Sequence, residues 1–182
     1  MEKEQKPLLT AQDIEWRVQS VVGNTKGVWA IIIPYKSARV DVRELTKAYG
    51  DLWRNSFYRD ENTKALVCKI EVYNKDIKEW VSREDVGTAT ATEATKGEYS
   101  DAFKRAGFKW NIGAELYNMP TVFVTLNKEE YYTQDNNGKT IYKASTKLRP
   151  NDWTWTIEWA EDTSKSKITA VDKKGNKRVN VN

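Results

Sequence analysis

From Thr95 to Tyr117 the chain reads TKGEYSDAFKRAGFKWNIGAELY, and no other stretch limits the fold as tightly. Thr95 and Glu98 have the spacing of a capping box, which predicts a helix start. Tyr99, Ala102, Phe103, Ala106, Trp110, Ala114 and Tyr117 then recur in steps of three and four. At about 100° per residue they share one face. Lys104, Arg105 and Lys109 fall on the opposite side, with Phe108 and Ile112 among them. A cationic face interrupted by apolar side chains requires a cover.

The preceding segments supply something for this helix to pack on. Ala38 to Tyr49 is predicted as a helix, with Ser37 as N-cap, Gly50 as terminator, and Ala38, Val42, Leu45, Thr46 and Tyr49 on one face. Leu52–Tyr58, Ala65–Tyr73 and Glu79–Arg83 read as strands. Leu66, Cys68, Ile70 and Val72 alternate with Val67, Lys69, Glu71 and Tyr73, and the connections are short enough for an antiparallel meander. Helix, three strands, helix predicts an α+β fold, a curved antiparallel sheet with helices on one side and a β-β-β-α core.

Elsewhere the pattern is coarser. Ile14–Val22 fits a short helix or a strand equally well, and Val28–Ile33 is an apolar strand stopped by Pro34. After Tyr117, Thr121–Leu126 and Lys139–Ala144 flank Asp135-Asn-Asn-Gly138 and read as a hairpin. Trp153, Trp155, Ile157 and Trp159 alternate with Thr154, Thr156 and Glu158 as a half-buried strand. Lys167–Val171 and Arg178–Val181 flank Asp172-Lys-Lys-Gly175 as a second hairpin. The expected organisation is a loose segment over 1–10, a core domain over 11–118, and a β-rich C-terminal extension over 119–182 packed on the core or on a neighbouring subunit.

Composition removes whole classes of chemistry. The 182 residues include no histidine, which excludes Ser-His triads, imidazole proton shuttles and most zinc sites. Cys68 is the lone cysteine, so thiolate metal clusters and an intrachain disulfide are excluded, in keeping with a reducing compartment. Asn136-Asn-Gly-Lys139-Thr140 has Thr133 where a Walker loop needs glycine, so it reads as a turn. Asp85, Asp101 and Glu71 lack the paired spacing of a magnesium-dependent nuclease. A non-enzymatic protein without cofactor or metal is expected. No membrane span and no signal-peptide core is seen, which predicts a cytoplasmic protein. The net charge of +4 permits nucleic-acid binding without demanding it.

The ordered words Glu84-Asp85-Val86-Gly87, KGEYSDAFKRA from Lys96 to Ala106, and K-W-x-I-G-x-x-L-Y from Lys109 to Tyr117 carry a resemblance. So do Ile14–Gln19, and Pro34-Tyr35 followed by Ala38-Arg39-Val40. Over roughly residues 12–118 the chain resembles the single-strand DNA annealing proteins of the Rad-fifty-two superfamily, especially its short phage-type members. The resemblance implies a β-β-β-α core and assembly into a ring or helical filament. It also implies ATP-independent annealing in recombination and repair, in the cytoplasm of a bacterial host. Lys104 and Arg105 would line the inner DNA groove, with Lys96 at another basic position. Phe108 stands where some relatives carry a basic residue, and Asn111 and Ala114 also depart from the phage pattern. A phage exonuclease and a host single-strand binding protein are candidate partners.

The candidate DNA-binding set is therefore Lys104, Arg105, Lys96, Lys109, Arg39 and Arg17, with Phe108 and Ile112 as base or subunit contacts. Each has an ordinary alternative. The helix cations can be neutralised by Glu98, Asp101 and Glu115, Arg17 by Glu15 or Asp13, and Arg39 by Asp41 or Glu44. Lys75, Lys78, Arg59 and Lys64 are candidates for an outer strand-binding surface, against simple exposure at turns. The tryptophan stripe can stack on bases, but its alternation favours packing. Two other functions remain open: a passive single-strand coating protein, and a structural or inhibitory phage protein that keeps the fold.

Overall fold

The computed structural model describes residues 9–88 and 94–181. In chain order its elements are β1 (Ile14–Asn24), β2 (Gly27–Lys36), α1 (Ala38–Tyr49), β3 (Trp53–Arg59), β4 (Leu66–Asn74), β5 (Glu79–Val86) and α2 (Ala94–Lys109). These are followed by β6 (Val122–Thr125), β7 (Tyr131–Asn136), β8 (Lys139–Ala144), β9 (Thr154–Glu158), β10 (Lys167–Val171) and β11 (Lys177–Val181). The fold is α+β, as the sequence predicts. Ile14–Asn24 resolves as strand. The chain forms two compact units, one spanning Lys36–Ala114, the other built from the described residues up to Tyr35 and from Glu115 onward.

In the first unit β3, β4 and β5 form the predicted antiparallel meander in the order β3-β4-β5. The inward face of β4 presents Leu66, Cys68, Ile70 and Val72, all buried. Leu45 from α1, Ala102, Phe103 and Ala106 from α2, and Ile112 close over it as one core, edged by Ala38, Tyr49, Trp53, Phe57 and Trp110. Burying a side chain the size of Ile70 stabilises by ~1.5–3 kcal/mol. Burial also pushes the Cys68 thiol up to about 12, so it behaves as a small hydrophobe.

The two helices approach closely at Gly107, where an added Cβ would overlap the Asp41 carboxylate. Gly87, at the end of β5, is similarly pressed against the α2 backbone at Glu98 and Ala102. Helix α1 has the predicted bounds, but it buries Val40, Asp41, Glu44 and Leu45 while Val42 is 44% exposed. Of the predicted face, Leu45 is core and Ala38 and Tyr49 edge it; Val42 turns outward, and Asp41 and Glu44 take buried places beside Leu45 because each has its own cationic partner.

The predicted continuous helix to Tyr117 is corrected. Helix α2 is already under way at Ala94, and Glu98 binds Arg59 rather than completing a capping box. At the other end Asn111 adopts φ 62°. The Asn111 amide donates to the Phe108 carbonyl at 2.8 Å and the Ile112 amide to the Gly107 carbonyl at 3.1 Å. This is a Schellman closure with Asn111 in the left-handed position, and it turns Ile112 inward to 1% exposure. Tyr117, assigned by periodicity to the buried face, is 67% exposed, beyond the break.

The second unit corrects the expected division at residue 118. The apolar run of β2, with Ala30 and Ile32 fully buried, pairs antiparallel with β6, whose Val122 and Val124 are equally buried. Residues 14–35 thus share a core with the C-terminal half, and β1-β2-β6 is one sheet. Pro34 does not stop β2. It lies past the β6 pairing, which covers Trp29–Ile32, so its missing N–H costs no bond on that side. The Asn137-Gly138 turn closes β7 on β8, not Thr121–Leu126 on β8. Strands β9, β10 and β11 form the second predicted hairpin and its neighbour. The expected loose segment falls largely on residues 1–8, which lie outside the described residues; Leu9 is buried.

Candidate nucleic-acid interface

The cations of α2 point in two directions. Arg105 and Lys109, one turn apart, face β5, where period-two alternation also sends Arg83 and Asp85. Arg105 donates to Asp85 Oδ1 through Nε and Nη2 at 3.3 and 3.2 Å, and the Lys109 ammonium lies 3.7 Å from Asp85 Oδ2. Arg83 donates to the Lys109 carbonyl and lies 4.8 Å from the Trp110 ring centre. Two cations therefore share one carboxylate, with Arg83 held next to them by a carbonyl and a ring. Lys109 is exposed and Arg105 half-buried, so the excess charge is accessible to solvent.

Lys104, one residue before Arg105, turns toward α1. Its carbonyl accepts from the Lys36 ammonium at 3.2 Å, and its own ammonium makes no ion pair with the carboxylates of the described residues. Lys36 and Asp41 form an ion pair at zero exposure, and the Lys36 ammonium lies 4.1 Å from the Phe108 ring centre. Desolvation raises the Asp41 carboxyl to about 6, with Lys36 and Lys104 opposing the shift. Asp41 Oδ2 has no hydrogen-bond partner among the described residues. This buried pair joins the end of β2, α1 and α2, and thereby holds the turn that carries Lys104.

The alternative partners proposed from the sequence are engaged elsewhere. Glu98 accepts both terminal nitrogens of Arg59 at 2.7 Å, Asp101 accepts from the Thr88 amide at 3.0 Å, and Glu115 accepts from the Leu9 amide at 2.8 Å. None neutralises Lys104, Arg105 or Lys109. Arg39 is in a similar position: Asp41 is held by Lys36 and Glu44 by Arg43, so Arg39 is exposed on α1 without an ion pair among the described residues. Lys96 is exposed near the start of α2. Arg17 belongs to the second unit, where its guanidinium lies 5.8 Å from the Tyr35 ring centre while the Tyr35 hydroxyl donates to Glu15.

Two proposed apolar contacts change character. Ile112 is core and not a surface contact, because the helix ends before it. Phe108 is half-buried with Lys36 over its ring. Of the outer set, Arg59 is held by Glu98, while Lys64 and Lys78 occupy turn positions with φ near 59° and 56°. Among the tryptophans, Trp16 and Trp155 stack at 3.8 Å and 8°, Trp153 follows at 5.8 Å, and Arg178 caps Trp153 at 4.5 Å. The Trp155 indole donates to the Pro150 carbonyl and the Trp159 indole to that of Leu9. These rings pack on one another and within their own unit.

Sequence reading missed Arg83 as part of the cationic group, and Lys36 as the buried tie. The alternation Arg83, Asp85 on the α2-facing side of β5 was the available signal for the first. The Asp85, Asp101 and Glu71 carboxylates each have protein partners, and among the described residues no group of three or more potential ligands could hold a metal ion. No described helix is long and apolar enough to cross a membrane. Comparisons with protein-family models, curated proteins and solved structures each returned no match.

Proposed function

We propose that this chain binds single-stranded DNA and anneals complementary strands without ATP, as an oligomeric ring or helical filament of the Rad-fifty-two superfamily type. The observation that supports this reading is the set of cations on the first unit. Arg105 and Lys109 share a single carboxylate, Arg83 beside them is held by a backbone carbonyl, and Lys104 and Arg39 have no ion pair among the described residues. Cations left in excess on a helix and an adjacent strand edge suit a run of phosphates, which repel one another unless neutralised.

The mechanism follows from that charge. Arg105 and Lys109 neutralise phosphates on the β5 side of α2 and Lys104 one on its α1 side, and a strand crossing the helix is held extended between them. Its bases are ordered before a complement arrives, so pairing begins on a template whose conformational entropy is already reduced. Watson–Crick pairing then supplies the sequence check, and no nucleotide hydrolysis is required. Arg39 contacts the same strand from α1.

The test replaces Lys104 and Arg105 with alanine together. Each charge-assisted contact contributes ~1.5–3 kcal/mol, so single-strand affinity should fall by roughly two to four orders of magnitude and annealing should be lost while the circular dichroism spectrum is retained. Unchanged annealing of complementary oligonucleotides would sink the assignment. An annealing-rate assay also separates this protein from a coating protein, which slows pairing.

A further inference from the structure

The Lys36–Asp41 pair under the Lys104 turn is more than a structural tie. Asp41 spends only Oδ1 on Lys36, and its Oδ2 is buried without a hydrogen-bond partner among the described residues. Lys36 has other means of staying charged, since its ammonium also donates to the Lys104 carbonyl and lies 4.1 Å from the Phe108 ring centre. The groups that face the Asp41 carboxyl are Lys36 from the end of β2, Lys104 from α2, and the Cys68 thiol from β4, which burial keeps neutral. Gly107 lets α2 approach until an added Cβ would overlap Asp41, so the carboxyl lies directly against the turn that carries Lys104.

We infer that the ionisation of Asp41 sets the strength of the Lys104 phosphate contact, so that binding of single-stranded DNA takes up a proton on Asp41 Oδ2. The inference rests on the proposed DNA reading and adds a control to that same site. The charge count carries it. Ionised, Asp41 cancels Lys36, and the group offers a phosphate the single charge of Lys104. Protonated, it leaves Lys36 uncancelled, and the group offers two. A phosphate at Lys104 in turn opposes a second anion beneath the turn and draws the Lys104 ammonium outward, and both effects favour the protonated carboxyl. Binding and protonation then reinforce each other equally. The pair has zero exposure, so salt screens this coupling much less than it screens contacts at the surface. The chain has no histidine, the side chain that ordinarily titrates between about pH 5 and 8, and burial holds the Asp41 carboxyl at about 6, inside that window. Affinity is therefore greatest below about pH 6, falls as pH rises through it, and levels off above.

The experiment measures binding of an oligothymidylate, whose phosphates and bases keep their charge across that window, at fixed ionic strength. Wild-type affinity should rise roughly three- to tenfold between about pH 7.5 and about pH 5.5. Calorimetry near the midpoint, in two buffers of different ionisation enthalpy, should show net proton uptake on binding. Asp41→Asn, which fixes the neutral form, should hold the high-affinity value throughout, and Lys104→Ala should bind weakly with little dependence on pH. A flat wild-type profile without proton uptake would overturn the inference while leaving the proposed function standing. So would an Asp41→Asn protein that kept the wild-type slope, whatever its absolute affinity, because a purely structural role predicts that result. Absence of binding at every pH would remove both.

Discussion

Lys36 and Asp41 should behave as a buried pair in which loss of the cation alone is costly and loss of both charges is cheap. Both side chains have zero exposure, and the Asp41 carboxylate abuts Gly107 so closely that a methyl group there would overlap it. Removing Lys36 leaves the ionised carboxylate with neither water nor counter-ion, a situation that costs ~3–5 kcal/mol. Lys36→Met should destabilise the first unit by about that amount above pH 6, whereas Asp41→Asn, which mimics the neutral carboxyl that the fold favours, should cost little. The double variant, with no buried charge left, should recover most of the loss. The coupling energy from the four proteins is then ~3 kcal/mol or more, far above what two exposed charges yield.

The same pair fixes a sign for pH. Burial holds the Asp41 carboxyl at about 6 in the folded chain, against its ordinary 3.8. The folded state therefore binds the proton more tightly than the unfolded state. Stability attributable to this group is greatest below about pH 4, declines as pH rises through 6, and is flat above. The difference is ~3 kcal/mol at 1.36 kcal/mol per unit. Subtracting the Asp41→Asn profile from the wild-type profile isolates it from the carboxylates shifted the other way. Because the chain forms two compact units, the readout is native-state hydrogen exchange of the α1 and α2 amides rather than one global melt. A Lys36→Met variant costing less than ~1 kcal/mol at neutral pH, or a wild-type minus Asp41→Asn difference that rises between pH 4 and 6, would refute the picture of a dry pair.

Two further outcomes follow. If Arg105 meets a phosphate, Arg105→Ala should reduce the magnitude of the slope of log affinity against log salt by about 0.7 on single strands; an unchanged slope would place the residue off the backbone. Asn111→Ala should cost ~1 kcal/mol and Asn111→Gly should stabilise slightly, measured by exchange at the C-terminal turn of α2. Equal behaviour of the two would mean that the positive φ at Asn111 does not limit the turn.

The first unit was legible because its signals are local. Alternation in β4, the helical steps of α1 and α2, and short connections each specify an element and its neighbour at once. The second unit was not, because β2 finds its partner β6 some ninety positions later. An apolar run states that a strand is buried but not against what, and residues 14–35 were accordingly grouped with the strands nearest in sequence. The Asn137-Gly138 turn was read correctly while its first strand was misplaced, since the turn fixes register only for the residues that immediately adjoin it.

The site was half legible for a different reason. Helical geometry placed Lys104, Arg105 and Lys109 on the surface, but a wheel drawn past Lys109 carried Ile112 out with them. The observation that first marked this helix as unusual, two apolar residues among cations, loses Ile112 to the core and leaves Phe108 partly covered by Lys36. What remains is an electrostatic argument that no wheel contains. Glu98, Asp101 and Glu115 lie on or next to the helix and appear able to neutralise it, yet each is committed to a group outside its cationic face. Direct ion pairing of the helix cations is therefore limited by the tertiary commitments of the acidic residues rather than by a surplus of basic ones, which a net charge of only +4 does not provide.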